Sequence, residues 1–172
     1  MPLWQIITCI LIFIFIIFLL ISSFYIIKCF FVKKKLNIYL KKITELLNEC
    51  YAIKNNLLNI MSRYMKSEKS IINRLNEIEE SYKKLDNINE KLKNIKLLYA
   101  EFSYIITLSE AYPNLIKEQQ FVLFKENSIN NQKNLKLTIN SYNGVLKKYI
   151  KLHDRFLNKI KTKENYNELI SL

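Results

Sequence analysis

The residue types that usually carry chemistry are sparse in this 172-residue chain and do not gather into a constellation. His153 is the single histidine and stands beside Asp154; the only other aspartate is Asp86. One histidine cannot complete a metal coordination sphere or a nucleophile–base relay without partners that this chain lacks, so His153 reads as a solvated surface residue. Cys9, Cys29 and Cys50 are odd in number and lack the C-x-x-C spacing, which disfavours both a disulfide framework and a zinc site. The glutamates form no H-E-x-x-H pattern, and one glycine cannot build a phosphate-cradling loop. The expectation is therefore a chain that is not an enzyme, with no catalytic, cofactor-binding or metal-ligating residues.

Charge is the stronger signal. Lys and Arg number 27 against 15 acidic residues, a formal net charge of +12, which favours contact with phosphates. Lys147, Lys151, Arg155, Lys159 and Lys163 recur every four residues and form a basic stripe along one helix. Lys33, Lys34 and Lys35 form a second cluster. Both are candidate contacts for anionic lipid headgroups, set against the plainer reading of the stripe as a solvated face. Nucleic acid is disfavoured because groove-reading motifs and base-stacking modules are absent.

The elements that position these residues begin with an apolar run. From Leu3 to Ile27 no residue is charged and only Gln5, Thr8, Ser22 and Ser23 are polar, whereas about 20 residues suffice to span the hydrocarbon. Trp4 and Tyr25 sit near its ends, where amphipathic rings favour the headgroup layer, and Lys28 with Lys33–Lys35 marks the far boundary. A cleaved signal peptide fits less well, because no basic region precedes the run and no small-x-small site follows it. The flanking lysines place the rest of the chain on the cytoplasmic side of the cell membrane. Residues 1–32 are thus expected to be a single-pass transmembrane anchor and residues 33–172 a cytoplasmic domain.

That domain is expected to be all-α. One Gly and two Pro leave almost no hairpin chemistry for sheets, and the many Asn and Ile are what an AT-biased genome would supply. Leu36, Ile43, Cys50, Leu57, Tyr64, Ile71, Ile78 and Leu85 recur every seven residues, a coiled-coil-like stripe. A parallel series runs through Leu40, Leu47, Lys54, Met61, Glu68, Leu75 and Tyr82. Lys54 and Glu68 are expected at its margin with their heads in water, the alternative being a polar residue that fixes register. Asn55 and Asn56 could mark a turn, although the seven-residue phase passes through them, so one very long helix or two consecutive ones fit. Around Asp86, Asp and Asn compete for backbone hydrogen bonds, and Asn87 or Asn89 could cap the next helix. That helix runs to about Ala111 with Leu92, Ile95, Leu98, Phe102, Ile105 and Ser109 inward. Tyr112-Pro113 ends it. A last helix starts near Lys117 and buries Phe121, Phe124, Leu135, Tyr142, Val145, Tyr149, Phe156 and Ile160, with Gly144 marking close packing or a kink. Tyr112, Tyr142 and Tyr149 are expected to fill the core with hydroxyls at its edge.

Several of these residues resemble a family signature. Asn56-Leu57-Leu58 with Tyr64 and Glu68 resembles the N-L-V…Y…E of the LemA family. Glu110-Ala111-Tyr112-Pro113-Asn114-Leu115 followed by Phe121 resembles its E-N-Y-P-D-L…F, and Tyr142-Asn143 followed by Tyr149 its Y-N…V…Y-N. Asn55 stands where the family usually has proline, Ile150 where it has a second asparagine, and Ile139-Asn140 where it has basic residues; the closing F-P is missing. The resemblance implies an antiparallel up-and-down bundle of four helices tethered to the membrane, favoured over three, with the first stripe split near Asn55. It also implies a role in envelope or internal-membrane organisation, including magnetosome vesicle formation, without a catalytic residue set. The functional expectation is a membrane-anchored scaffold that contacts the lipid bilayer, an envelope or membrane protein partner, and further copies of itself. The alternative is a cytoplasmic-face adaptor or regulator of one membrane protein.

Overall fold

The computed structural model describes residues 2–156 and 168–170. Among the described residues five α-helices follow one another: α1 (Leu3–Tyr64), α2 (Lys69–Lys83), α3 (Ile88–Leu108), α4 (Pro113–Ile116) and α5 (Gln119–Phe156), with a 3-10 turn at Ser109–Ala111. Among the described residues there is no strand. The chain divides into two compact units, one of Met1–Ile38 and Gly144–Tyr166, the other of Tyr39–Asn143 and Asn167–Leu172.

The second unit is the all-α bundle. Its contacts identify the directions of its helices. Lys54 meets Glu79 and Tyr51 meets Tyr82, so position falls along α1 as it rises along α2, and the two run antiparallel. Arg74 pairs with Glu101, and Asn94 bonds the carbonyl of Ile78, reversing direction again from α2 to α3. Tyr99 bonds Asn131 and Phe102 packs on Phe124, which does the same between α3 and α5. An up-down-up-down order results, as short connections between amphipathic helices favour.

The apolar stripes account for the core. Ile43, Cys50, Leu57, Ile71 and Ile78 of the seven-residue series are buried, as are Leu47, Met61 and Leu75 beside it. Leu92, Ile95, Leu98, Phe102, Ile105 and Ser109 are buried on α3, and Phe121, Phe124, Leu135, Tyr142 and Tyr149 on α5. The rings of Phe102, Phe121 and Phe124 stand 5.2 and 5.6 Å apart, within the range of favourable aromatic packing. Each such side chain, fully buried, stabilises by about 1.5–3 kcal/mol.

Three local expectations change. First, α1 continues through Asn55 and Asn56; the division into four bundle helices falls at Met65–Glu68 instead. No Gly or Pro stands there. Met65 is fully buried, its N–H still bonded to Met61 at 2.8 Å, and the Glu68 N–H turns back to the Met65 carbonyl at 3.0 Å. Burial of Met65 and the ties made by Tyr64 and Glu68 hold the turn against helix propensity. Second, Gly144 marks neither close packing nor a break. A Cβ built there would meet nothing within 4 Å, and α5 continues as a helix past it. Third, Val145 is half-buried rather than inside. The turn near Asp86 stands as expected: Asn87 has extended backbone and its side chain accepts the Asn89 N–H at 2.8 Å. Tyr112, forced out of the helical region by Pro113, separates the 3-10 turn from α4.

In the first unit, the apolar residues of α1 from Trp4 to Phe31 include no buried side chain among those described. This helix is long and apolar enough to cross a membrane. Leu152 of α5 joins Phe18, Ile21, Ser22, Tyr25, Ile26 and Cys29 of α1 around a groove of about 280 Å³. Leu152 of the last helix therefore lies beside the apolar segment.

Candidate functional site

The described basic candidates occupy the first unit. Lys34 and Lys35 are exposed on α1 and Lys33 is half-buried with a partner of its own; Lys147 and Lys151 are exposed on α5. Arg155 belongs to α5, but its side chain lies outside the described residues, as do Lys159 and Lys163 entirely. Phe156 and His153 lie within α5 with their side chains likewise outside, and Ile160 is outside altogether. Leu152, next to Lys151, touches the groove that includes Tyr25 and Cys29. The head of the basic stripe thus lies where the apolar helix approaches its lysine boundary.

The second unit holds a buried polar layer whose partners the seven-residue pattern does not name. Lys54 is 1% exposed, and its ammonium donates to the Glu79 carboxylate. This corrects the expected position at the margin of the stripe: the head does not reach water but is neutralised by a charge on α2. Glu79 also takes Lys83 at 3.0 Å. The hydrogen bond from Lys54 chiefly holds its carboxyl below the usual 4.5, burial opposes this, and Lys83 adds to the lowering. Glu68 is half-buried at the α1–α2 turn, where the Tyr112 hydroxyl donates to it at 2.8 Å.

Beside this pair the Tyr51 hydroxyl donates to Asn94 at 2.8 Å, and Asn94 donates to the Ile78 carbonyl at 3.1 Å. The Tyr51 and Tyr82 rings lie 4.4 Å apart, with the Lys91 ammonium 5.4 Å from the second ring. Tyr99 donates to Asn131, whose amide donates to the Leu46 carbonyl at 3.1 Å and to Glu49 at 3.2 Å. Burial pushes the Cys50 thiol up to about 12, so it is a packed, protonated group rather than a nucleophile. Burial likewise raises Tyr51 and Tyr99. Every buried side-chain polar atom among the described residues has a partner. A layer so fully paired fixes which helix faces meet.

A second polar arrangement lies at the start of α3. Asn143 donates to the Leu169 carbonyl at 2.8 Å and accepts the Leu169 N–H at 2.9 Å. Asn89 donates to the Glu168 carbonyl at 3.3 Å and accepts the Ile170 N–H at 3.0 Å. Leu169 itself is 3% exposed. Of these, Asn143 stands in the tyrosine–asparagine motif and Asn89 was a cap candidate; no sequence signal ties either to the tail.

Among the described residues no three His, Cys, Asp or Glu side chains are grouped to hold a metal ion. Tyr142 and Tyr149 are buried, while Tyr112 is half-buried at the α1–α2 turn. Neither a curated protein nor a solved structure matches the chain. The LemA family model matches residues 39–167, starting where the bundle unit starts and taking in the tyrosine, proline and asparagine motifs. The chain belongs to the LemA family.

Proposed function

We propose that this protein is a single-pass scaffold of the cell membrane, with its bundle on the cytoplasmic side and a non-catalytic role in organising the membrane or envelope. The observation that carries this reading is the apolar segment of α1 from Trp4 to Phe31, in which no described side chain is buried and which is long and apolar enough to cross a membrane. A side chain exposed to the bilayer needs no protein cover. Lys33–Lys35 and the Lys147–Lys163 stripe supply the basic charge that retains this side of the chain in the cytoplasm and favours anionic headgroups. The paired polar layer suits a structural role, since its titratable groups are committed to one another.

Two measurements test the reading. With the native cysteines replaced and one cysteine placed at Lys151, an impermeant thiol reagent should label only lysed cells; labelling of intact cells would overturn the cytoplasmic assignment. The full chain reconstituted in anionic vesicles should self-associate and cluster or deform them. A single stoichiometric partner in crosslinked membranes, with vesicles unchanged, would favour the adaptor reading instead.

A further inference from the structure

The segment Glu168–Leu169–Ile170 is held through hydrogen bonds to its main chain. In an extended chain the N–H and C=O of one residue point to one edge, and the flanking C=O and N–H point to the other. Asn143 takes both groups of Leu169 on the first edge; Asn89 takes the Glu168 carbonyl and the Ile170 N–H on the second. Each amide, a donor and an acceptor side by side, substitutes for a neighbouring strand. The four main-chain groups are thereby satisfied from both edges, and Leu169 is buried. Asn89 is free for this task because Asn87 takes the helix cap.

Resting on the scaffold reading above, we propose that Asn89 and Asn143 form a main-chain-reading site that accepts the Glu168–Ile170 segment of a second copy as well as its own, so that tail exchange links copies in the membrane. The occupant is a second copy because the segment seen to fit is this chain's own, and a shared contact set makes exchange between identical chains inexpensive. Tethering to one bilayer confines the copies to a common surface, which raises their effective concentration.

Complementation tests the exchange with the full chain in detergent or nanodiscs. One variant, Leu169→Asp, keeps the site and loses the tail; the other, Asn89→Ala with Asn143→Ala, keeps the tail and loses the site. Labelled with donor and acceptor dyes, each alone should associate at least about tenfold more weakly than the mixture, because only the mixture pairs an intact site with an intact tail. Asn143→Asp keeps the acceptor for the Leu169 N–H but turns an anion on its carbonyl, and should lower pairing in the same direction with helicity unchanged. A mixture that associates no better than its components, while both retain wild-type helicity, overturns tail exchange. Wild-type association left unchanged by both variants would overturn it and leave the scaffold standing. Absence of both wild-type association and any effect on vesicles would remove the scaffold and the exchange together.

Discussion

Replacing Glu79 and replacing Lys54 remove the same ion pair but leave different groups behind. Without Glu79, the buried Lys54 ammonium loses its charge partner; without Lys54, the partly exposed Glu79 still has Lys83 at 3.0 Å. Stranding one charge of a buried pair costs about 3 kcal/mol or more, whereas exchanging the buried charge for an apolar side chain of similar volume is often neutral. Glu79→Gln is therefore expected to lower stability by about 3 kcal/mol and Lys54→Met to stay within about 1 kcal/mol of wild type, read from thermal unfolding by circular dichroism. The sign with pH follows from the lowered Glu79 value. A carboxyl that is more acidic folded than unfolded adds stability above its unfolded value, near 4.5, and loses it as pH falls through the folded one. The wild-type melting temperature should fall more steeply than that of Glu79→Gln as pH drops below about 4.5. Parallel curves for the two proteins would mean that the pair contributes nothing to folding.

At the scale of elements, α5 carries a glycine that its surroundings do not require. Gly144 has no positive φ, and no atom lies within reach of an added Cβ. Gly in a helix interior is less favourable than Ala by about 0.8–1 kcal/mol, largely through the freedom it retains when unfolded. Gly144→Ala is expected to stabilise the protein by about 0.5–1 kcal/mol, visible as a higher melting temperature. A loss of stability there would indicate that the helix needs the glycine's freedom. The opposite lesson comes from Met65–Glu68, where a reversal forms with neither Gly nor Pro. The buried Met65 and the Tyr64–Glu118 and Tyr112–Glu68 hydrogen bonds supply what local propensity withholds. The seven-residue stripe crosses this turn in phase because the residues on both sides face one core.

At the scale of the whole molecule, the direction of the last helix bears on lipid contact. Leu152 beside Tyr25 and Cys29 brings Lys147 and Lys151 to the end of the chain that holds the apolar segment. Each basic residue near an anionic surface contributes about 1 kcal/mol, an attraction that fades beyond about 8 Å at physiological salt. The chain from Lys33 to Leu172 alone is expected to bind anionic vesicles in a salt-sensitive manner. Reversal of the Lys147–Lys163 stripe to Glu should weaken this more than reversal of Lys33–Lys35, as read by vesicle sedimentation. Equal binding of the stripe-reversed and unaltered chains, with helicity intact, would leave the stripe as a solvated face.

The sequence by itself determined the helical class, the long apolar segment, the buried faces of the helices and the ends near Asp86 and Pro113. All of these rest on local regularities: hydrophobic period, the scarcity of Gly and Pro, the capping Asn87, and the steric effect of proline on Tyr112. Tertiary structure alone decided where the first stripe divides, which acid neutralises Lys54, and what the asparagines do. Lys54 finds Glu79 across a separation of 25 residues, Asn131 finds Leu46 across 85, and Asn89 and Asn143 hold the tail across 79 to 81 and 26 residues. An amide that reads main chain leaves no mark on the sequence of its partner, because every residue offers the same carbonyl and N–H. Such pairings come into being only when packed helices set the two backbones at hydrogen-bond distance.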